Sequence, residues 1–401
     1  MRDLKIFTDN IEYDAMAQIN TLLEQETFAN CKIRIMPDVH AGAGCVIGFT
    51  ADLGDKVIPN LVGVDIGCGV IVAPLGKVDI DLAKLDEFVN NEMCYGLQVN
   101  NKVLVSYDLK KLRCYKQLSN LPWIEKSLGS LGSGNHFIEI DESENGEKYI
   151  VIHSGSRNLG LQVAKIYQKL AIKFRKESPL EERQQIIEDL KSKGRQADIP
   201  DALKELTEKY KNETKLSPDL CYLDGTERED YLHDMRICQD WAKLNRKTMI
   251  MQMINHLLKT QKIKFPKNPE KNIFEVVHNY IGDDNIIRKG SISARLGEKV
   301  LIPLNMRDGC ILGTGKGNED WNYSAPHGAG RLISRSAAKQ LISLDEYSKS
   351  MEGIYTSTVN EGTIDEAPDV YKPMDEIVEK IKDTVDIIEV IKPIYNFKAQ
   401  N

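Results

Sequence analysis

The sequence predicts an α+β fold, and three observations carry that prediction. Short apolar runs of strand length alternate with longer segments whose apolar residues recur at helical spacing. No internal repeat or low-complexity linker divides the 401 residues. The side chains best suited to chemistry are spread from position 40 to position 327, so they must converge in space, which one large fold does and independent modules do not. One domain over 1–401 is therefore expected, with 178–218 as a surface insert.

The elements follow in order. Apolar spacing predicts a helix over 11–25. Residues 31–36 alternate as a strand and enter a loop over 37–44. Residues 57–64 read as strand-like and lead to a glycine-rich turn at 65–69. A helix is expected over 79–93. The runs 137–140 and 149–152 form a hairpin about Glu144-Asn145-Gly146-Glu147, because Asn-Gly readily adopts the positive φ of a tight turn. A helix over 160–175 follows. Residues 178–218 are dense in Glu and Lys and low in aromatics, which reads as a helical surface insert. A long helix covers 228–260, and a strand over 274–277 ends at His278. Residues 291–303 read as paired strands about Leu296-Gly297-Glu298. Helices are expected from His327 through Ala338 and over 375–389.

Composition sets the class. Hydrophobic residues make up 41% and charged residues 28%, as in globular proteins. No run of about 18 apolar residues appears, so no membrane span is expected. Met1-Arg2-Asp3-Leu4-Lys5 lacks a signal peptide's apolar core, which makes the cytoplasm the expected location. Eight cysteines without a CxxC pair read as free thiols. A net charge of −7 argues against nucleic-acid binding over the whole surface. A local basic groove is compatible with it. Lys243, Arg246, Lys247, Lys259, Lys262, Lys264, Lys267 and Lys271 form either a solvated face or a surface that tracks phosphates.

The chemistry centres on Val62-Gly63-Val64-Asp65-Ile66-Gly67-Cys68-Gly69-Val70. Carboxylate and thiolate are both metal ligands, and the glycines let backbone approach an ion. Histidines recur in similar Gly- or Asn-flanked settings. Asp65, Cys68, His136, His153 and His278 make a mixed O, S and N ligand set, one more than a tetrahedral site takes. A bridging thiolate would let them hold two divalent ions about 3.5–4 Å apart, a spacing that suits phosphoryl transfer. His327 lies in Pro326-His327-Gly328-Ala329-Gly330-Arg331. A neutral imidazole there could attack phosphorus, with the small residues leaving room for phosphate at a helix start. A packing histidine is the alternative. Arg157 and Arg335 offer two-point phosphate contacts. Gly313-Thr314-Gly315-Lys316-Gly317-Asn318 is glycine-rich but lacks Walker spacing.

These motifs together resemble the RNA-splicing ligase family RtcB. The resemblance runs through Pro37-Asp38-Val39-His40, the Asp65/Cys68 turn, Gly132-Ser133-Gly134-Asn135-His136-Phe137, and His153 with Arg157. It continues through His278-Asn279, Arg288-Lys289-Gly290, Gly317-Asn318-Glu319-Asp320, the His327 motif and the closing lysine segment. It implies mixed sheets around a central dinuclear metal cleft. Asp65, Cys68, His136, His153 and His278 would bind two Mn²⁺, with Cys68 bridging. His327 would be guanylylated by GTP. Asn135, Phe137 and Glu139 would lie along the GMP phosphate and ribose. Asn279, Gly328, Ala329 and Gly330 would complete the nucleotide contacts, and Tyr371 and Lys398 would meet guanine. Arg157 and Arg335 would hold RNA phosphate. The implied reaction joins an RNA 3′-phosphate or 2′,3′-cyclic phosphate end to a 5′-hydroxyl end through an RNA 3′-pp-5′-G intermediate. An archease-type activator is an implied partner.

This chain departs from the family at Leu304-Asn305-Met306-Arg307-Asp308-Gly309-Cys310, where Gly-Ser-Met-Gly-Thr-Ala-Ser is common, and at Asn158, where glycine is usual. Asp308 could receive guanine's donor edge, or Arg307 could pair with it instead. The departures suggest a divergent branch serving RNA repair rather than tRNA splicing. The competing readings are a dinuclear metal phosphoesterase or nuclease, which needs no His327 nucleophile, and a non-catalytic RNA-binding protein.

Overall fold

The computed structural model describes residues 2–176, 180–213, 216–264 and 272–399. The fold is α+β, with strands in three hydrogen-bonded sheets. The largest runs in the order Lys299–Asn305, Gly309–Gly315, Val385–Lys398, Phe137–Glu142, Lys148–Ser154, Gly69–Gly76, Phe274–Val277. A five-stranded sheet orders Asp3–Ile6, Lys32–His40, Ile47–Asp52, Ile286–Lys289 and Tyr280–Ile281. Its first pair is parallel, and its other pairs are antiparallel. Ser291–Ser293 and Ser324–Pro326 form the third sheet.

Period-two alternation sets the faces of the large sheet. Ile138, Ile140, Ile150, Ile152 and Ile71 point into one core, shared with Met249, Ile250, Met253, Ile254 and Leu257 of the helix Gly225–Thr260. Phe137, Tyr149, Val151, Val70 and Val72 pack on the other side, so the alternation places His153 on that side too. The first half of the same helix packs Tyr231, Met235, Cys238 and Trp241 into a second core. The two apolar halves meet at Asn245 and Arg246, both fully buried.

Register then gathers the candidate ligands. His153 pairs with both Phe137 and Val70, and Gly69 pairs with both Ser154 and Val277. His136 precedes its strand, Cys68 precedes Gly69, and His278 follows Val277. Four candidate ligands thus sit at one end of four adjacent strands.

Several expected elements differ. Residues 57–64 hold a short helix, Pro59–Val62, with proline at its first turn, where the missing N–H costs nothing. The strand expected to stop at 36 runs on to His40, with a register shift between Ile35 and His40. Residues 291–303 do not pair with themselves. Ser291–Ser293 joins Ser324–Pro326, and Lys299–Asn305 joins Gly309–Gly315. The glycine-rich 313–318 stretch is therefore strand through Gly315. The helix expected from His327 starts only at Arg335, where the Ser334 hydroxyl accepts from Ala337 N at 3.2 Å. The last expected helix stops at Lys380. Its remainder joins the strand Val385–Lys398, whose Ile and Val residues suit the middle of a sheet. The surface insert is helical over Leu180–Ser192 and Ile199–Glu213. Of its expected span, 178, 179, 214 and 215 lie outside the described residues.

Candidate metal and nucleotide site

The five predicted ligands converge. Cys68 Sγ lies 3.4 Å from His136 Nε2 and 3.3 Å from His153 Nε2. His136 Nε2 is 3.1 Å from Asp65 Oδ2, and His153 Nε2 is 3.2 Å from His278 Nε2. The ligand atoms form two triads, Asp65-Cys68-His136 and Cys68-His153-His278, each within 4.8 Å, and Cys68 belongs to both. His136 Nδ1 lies 2.8 Å from the Leu131 carbonyl, and His153 Nδ1 lies 3.1 Å from the Asn135 carbonyl. Those bonds make Nδ1 the donor and turn Nε2 of each ring toward Cys68. Burial, reinforced by neighbouring positive charge, holds His153 and His278 well below the usual histidine range. Burial raises Asp65, but the His136 contact and the Arg157 charge outweigh it and hold the carboxyl below its ordinary range. Converging imidazole nitrogens, a carboxylate and a thiol are a donor set that fits divalent cations.

Glycine makes room at this site. A Cβ on Gly155 would stand 2.1 Å from Asp65 Oδ2. Gly132, at φ +92°, leaves space for the Arg157 guanidinium, which a Cβ would meet at 1.7 Å. Arg157 itself holds φ +58° at the head of its helix and donates to the Gly96 carbonyl at 3.1 Å. It is thus a part-buried cation beside the candidate ligands.

His327 stands next to the cluster, its ring centroid 4.6 Å from that of His278. It leaves the strand Ser324–Pro326 and is seized by Asp38, a fully buried carboxylate. Asp38 Oδ2 receives His327 Nδ1 at 2.6 Å, His327 N at 3.0 Å and Gly328 N at 3.2 Å. That grip keeps 327–334 out of a helix, so no helix start awaits a phosphate there. It also fixes the imidazole with Nε2 as its free nitrogen. His327 opens on a cavity lined by Asn135, Phe137, Glu139, Gly328, Ala329, Gly330, Arg335, Tyr371 and Lys398. His40 lines it too, kept neutral by burial, which lowers it to about 4.

Not every expectation is met by placement. Asn279 is absent from the cavity wall, and its amide serves Gly290 N at 2.9 Å and the Asp65 carbonyl at 3.3 Å. Arg335 lines the cavity but pairs with Asp365 at 2.6 Å and with Glu366. Leu304, Asn305 and Met306 wall the cavity, whereas Arg307 and Asp308 face a neighbouring crevice. Arg307 pairs with Asp308 and with Asp369, each at 3.0 Å, so Asp308 is engaged there. Arg246 of the expected basic run is buried, and Lys267 and Lys271 lie outside the described residues.

Two residues that sequence reasoning gave no role stand out, Asp38 and Glu366. Glu366 receives Lys398 Nζ at 2.7 Å and the Tyr371 hydroxyl at 2.6 Å, besides Arg335. Burial raises its carboxyl, but the charges of Lys398 and Arg335 win and hold it at about 2, against 4.5 ordinarily. A depressed carboxyl contributes stability that is complete above its unfolded value and lost as pH falls through its folded value. Glu366→Gln should therefore flatten the acid-unfolding profile between pH 4.5 and 2. Leaving its partners, Arg331 at 3.5 Å among them, without their buried anion should also cost about 3–5 kcal/mol near neutrality. Urea melts across pH measure both effects.

Known proteins place the chain. A family model described as tRNA-splicing ligase RtcB matches residues 18–117 and 117–399. RNA-splicing ligase RtcB of Escherichia coli K12 is 30% identical over 423 residues, covering 97% of this chain and 95% of that protein. A second Escherichia coli protein, RNA-splicing ligase RtcB1, is 30% identical over 424 residues with the same coverage. tRNA-splicing ligase RtcB of Aeropyrum pernix is 26% identical, covering 93% of this chain and 90% of its own length. With matches along nearly its whole length and a ligand cluster where the motifs predict one, this chain belongs to the RtcB family.

Proposed function

We propose that the protein is a GTP- and Mn²⁺-dependent RNA ligase, joining a 3′-phosphate or 2′,3′-cyclic phosphate end to a 5′-hydroxyl end. One observation carries the reading. A histidine held by a buried carboxylate sits against a paired ligand cluster and lines a cavity that Asn135, Glu139, Arg335, Tyr371 and Lys398 also line. Two divalent ions at Asp65, Cys68, His136, His153 and His278 would offset charge on the reacting phosphates, and imidazole with carboxylate suits Mn²⁺.

The chain's own groups supply the rest. Asp38 accepts a hydrogen bond from Nδ1–H of His327, leaving the Nε2 lone pair to attack the α-phosphorus of GTP. The P–N bond forms, pyrophosphate leaves, and Asp38 offsets the charge gained by the ring. An oxygen of the RNA 3′-phosphate then attacks that phosphorus, the P–N bond breaks, and the RNA ends in 3′-pp-5′-G. The 5′-hydroxyl oxygen attacks the RNA phosphate, GMP departs, and the hydroxyl proton passes to solvent. A cyclic end is first opened by water to a 3′-phosphate. Arg157 and Arg335 are assigned to RNA phosphate, Arg335 by exchanging an acid for it. Asn135, Phe137 and Glu139 are assigned to the GMP phosphate and ribose, Tyr371 and Lys398 to guanine. Gly328 to Gly330 leave room for the phosphate. An archease-type activator belongs to this reading as a protein partner.

Against a metal phosphoesterase stands the Asp38–His327 pair, which hydrolysis does not require. The test is a joining assay with GTP, Mn²⁺ and RNAs of defined ends. Joining of 3′-phosphate to 5′-hydroxyl, and none of 3′-hydroxyl to 5′-phosphate, is the expected result. Cleavage or dephosphorylation without joining contradicts the proposal.

A further inference from the structure

We infer that Asn245 and Arg246, consecutive on the helix Gly225–Thr260, act as one positioning unit for both halves of the metal cluster, an inference that rests on the metal-dependent reading above. Arg246 Nη1 donates to the carbonyls of Gly67 at 2.8 Å and Ser154 at 2.9 Å, and Nη2 to Glu275 Oε2 at 2.9 Å. Gly67 precedes Cys68, Ser154 follows His153, and Glu275 lies in the strand that delivers His278. One guanidinium therefore ties together the three segments of the Cys68-His153-His278 triad.

Asn245 serves the other triad. Its Oδ1 accepts from Gly129 N at 2.7 Å and Ser130 N at 3.2 Å. Its Nδ2 meets the Ser130 carbonyl and Ser154 Oγ, both at 3.1 Å, and the Gly155 carbonyl at 3.2 Å. The Ser154 hydroxyl donates onward to the Leu131 carbonyl at 2.8 Å, the same oxygen that holds His136 Nδ1. Just beyond Gly155, Ser156 grips Asp65 Oδ1 through its N–H at 2.9 Å and its hydroxyl at 3.1 Å. Each of the five ligands is thus tied to these two side chains within a few residues.

Plain charge burial does not explain the arrangement. Lys243 already pairs with Glu275 at 3.1 Å, so that acid does not need Arg246 for neutrality. A fully buried guanidinium is costly unless its donors are met, and here both Nη groups find their acceptors on ligand-bearing segments while Nε has no hydrogen-bond partner. A fork reaches three fixed acceptors at once, which an ammonium cannot reproduce. The two polar residues also stand where the helix passes between its two apolar cores, at the height of the ligand-bearing strand ends.

Arg246→Lys keeps the charge and removes the fork. Affinity is read by titrating the metal-free protein with Co²⁺ against a competing chelator, following the cobalt–thiolate absorption of Cys68. The expected result is binding weakened by about 10–100-fold, the usual cost of losing a ligand's outer partner, with the metal-free circular dichroism unchanged. A folded Arg246→Lys protein with wild-type affinity overturns the inference. If that variant does not fold, Ser154→Ala carries the test, since it removes only the hydroxyl between Asn245 and the Leu131 carbonyl. About 10-fold weaker binding of one of two ions, the low end of that range, is then expected, and unchanged binding of both overturns the inference. A wild-type protein that takes up no pair of ions counts instead against the metal-dependent reading.

Discussion

Cys68→Ala should empty both halves of the metal cluster and reduce RNA joining by about 10³-fold or more, as expected for losing several kcal/mol of charge stabilisation. Its thiol lies within 3.4 Å of two imidazole nitrogens and belongs to both triads, whereas every other ligand belongs to one. Burial first, then Asp65, raises that thiol well above its ordinary range, so metal uptake must displace its proton. Asp65→Ala is the contrast, because it touches a single triad and should lose one ion. Elemental analysis after gel filtration would read none for Cys68→Ala and one for Asp65→Ala. Equal loss in the two variants contradicts the shared thiolate.

The second large effect is expected at His327 and its orienting acid. His327→Ala should lose nucleotide transfer from GTP while still joining RNA that already carries a 3′-pp-5′-G end, since the metal ligands and Arg157 remain. Asp38→Asn should keep metal binding and lower the guanylylation rate by roughly 10³-fold. An amide in place of the carboxylate no longer fixes the tautomer or offsets the ring's charge, the logic by which a buried aspartate serves a catalytic histidine. Single-turnover measurement with labelled GTP separates rate from occupancy. An Asp38→Asn protein as fast as wild type would remove Asp38 from the mechanism.

The convergence of the candidate ligands was legible because Cys and His are scarce in this chain and recur beside Gly and Asn at the ends of short apolar runs. The hairpin over 137–154 was legible because alternation and Asn145-Gly146 point to the same answer. What stayed hidden depends on partners distant in sequence. Asp38 meets His327 across 289 positions, and that grip overrides the helical pattern expected after it. Glu366 looks like any acid until Lys398, Tyr371 and Arg335 fold onto it. Arg246 reads as one more cation in a basic run, because only the fold shows its helix passing beneath the ligand turns. The helix expected over 375–389 ends early because the backbone from Val385 onward pairs first with Gly309–Gly315 and then with Phe137–Glu142. The Arg307-Asp308 pair was read as one of two alternatives, and the structure has the pair closed on itself and on Asp369.

The central claim is that His327, oriented by Asp38 beside a paired metal cluster, becomes covalently bonded to GMP. The direct measurement is incubation of the protein with Mn²⁺ and GTP labelled at the α-phosphate, followed by denaturation and mass-spectrometric mapping of the modified peptide. The account predicts one acid-labile, alkali-stable GMP on His327, which forms only with the metal present and is absent from His327→Ala. A protein that joins RNA without forming this adduct, or that carries the nucleotide on another residue, would contradict it.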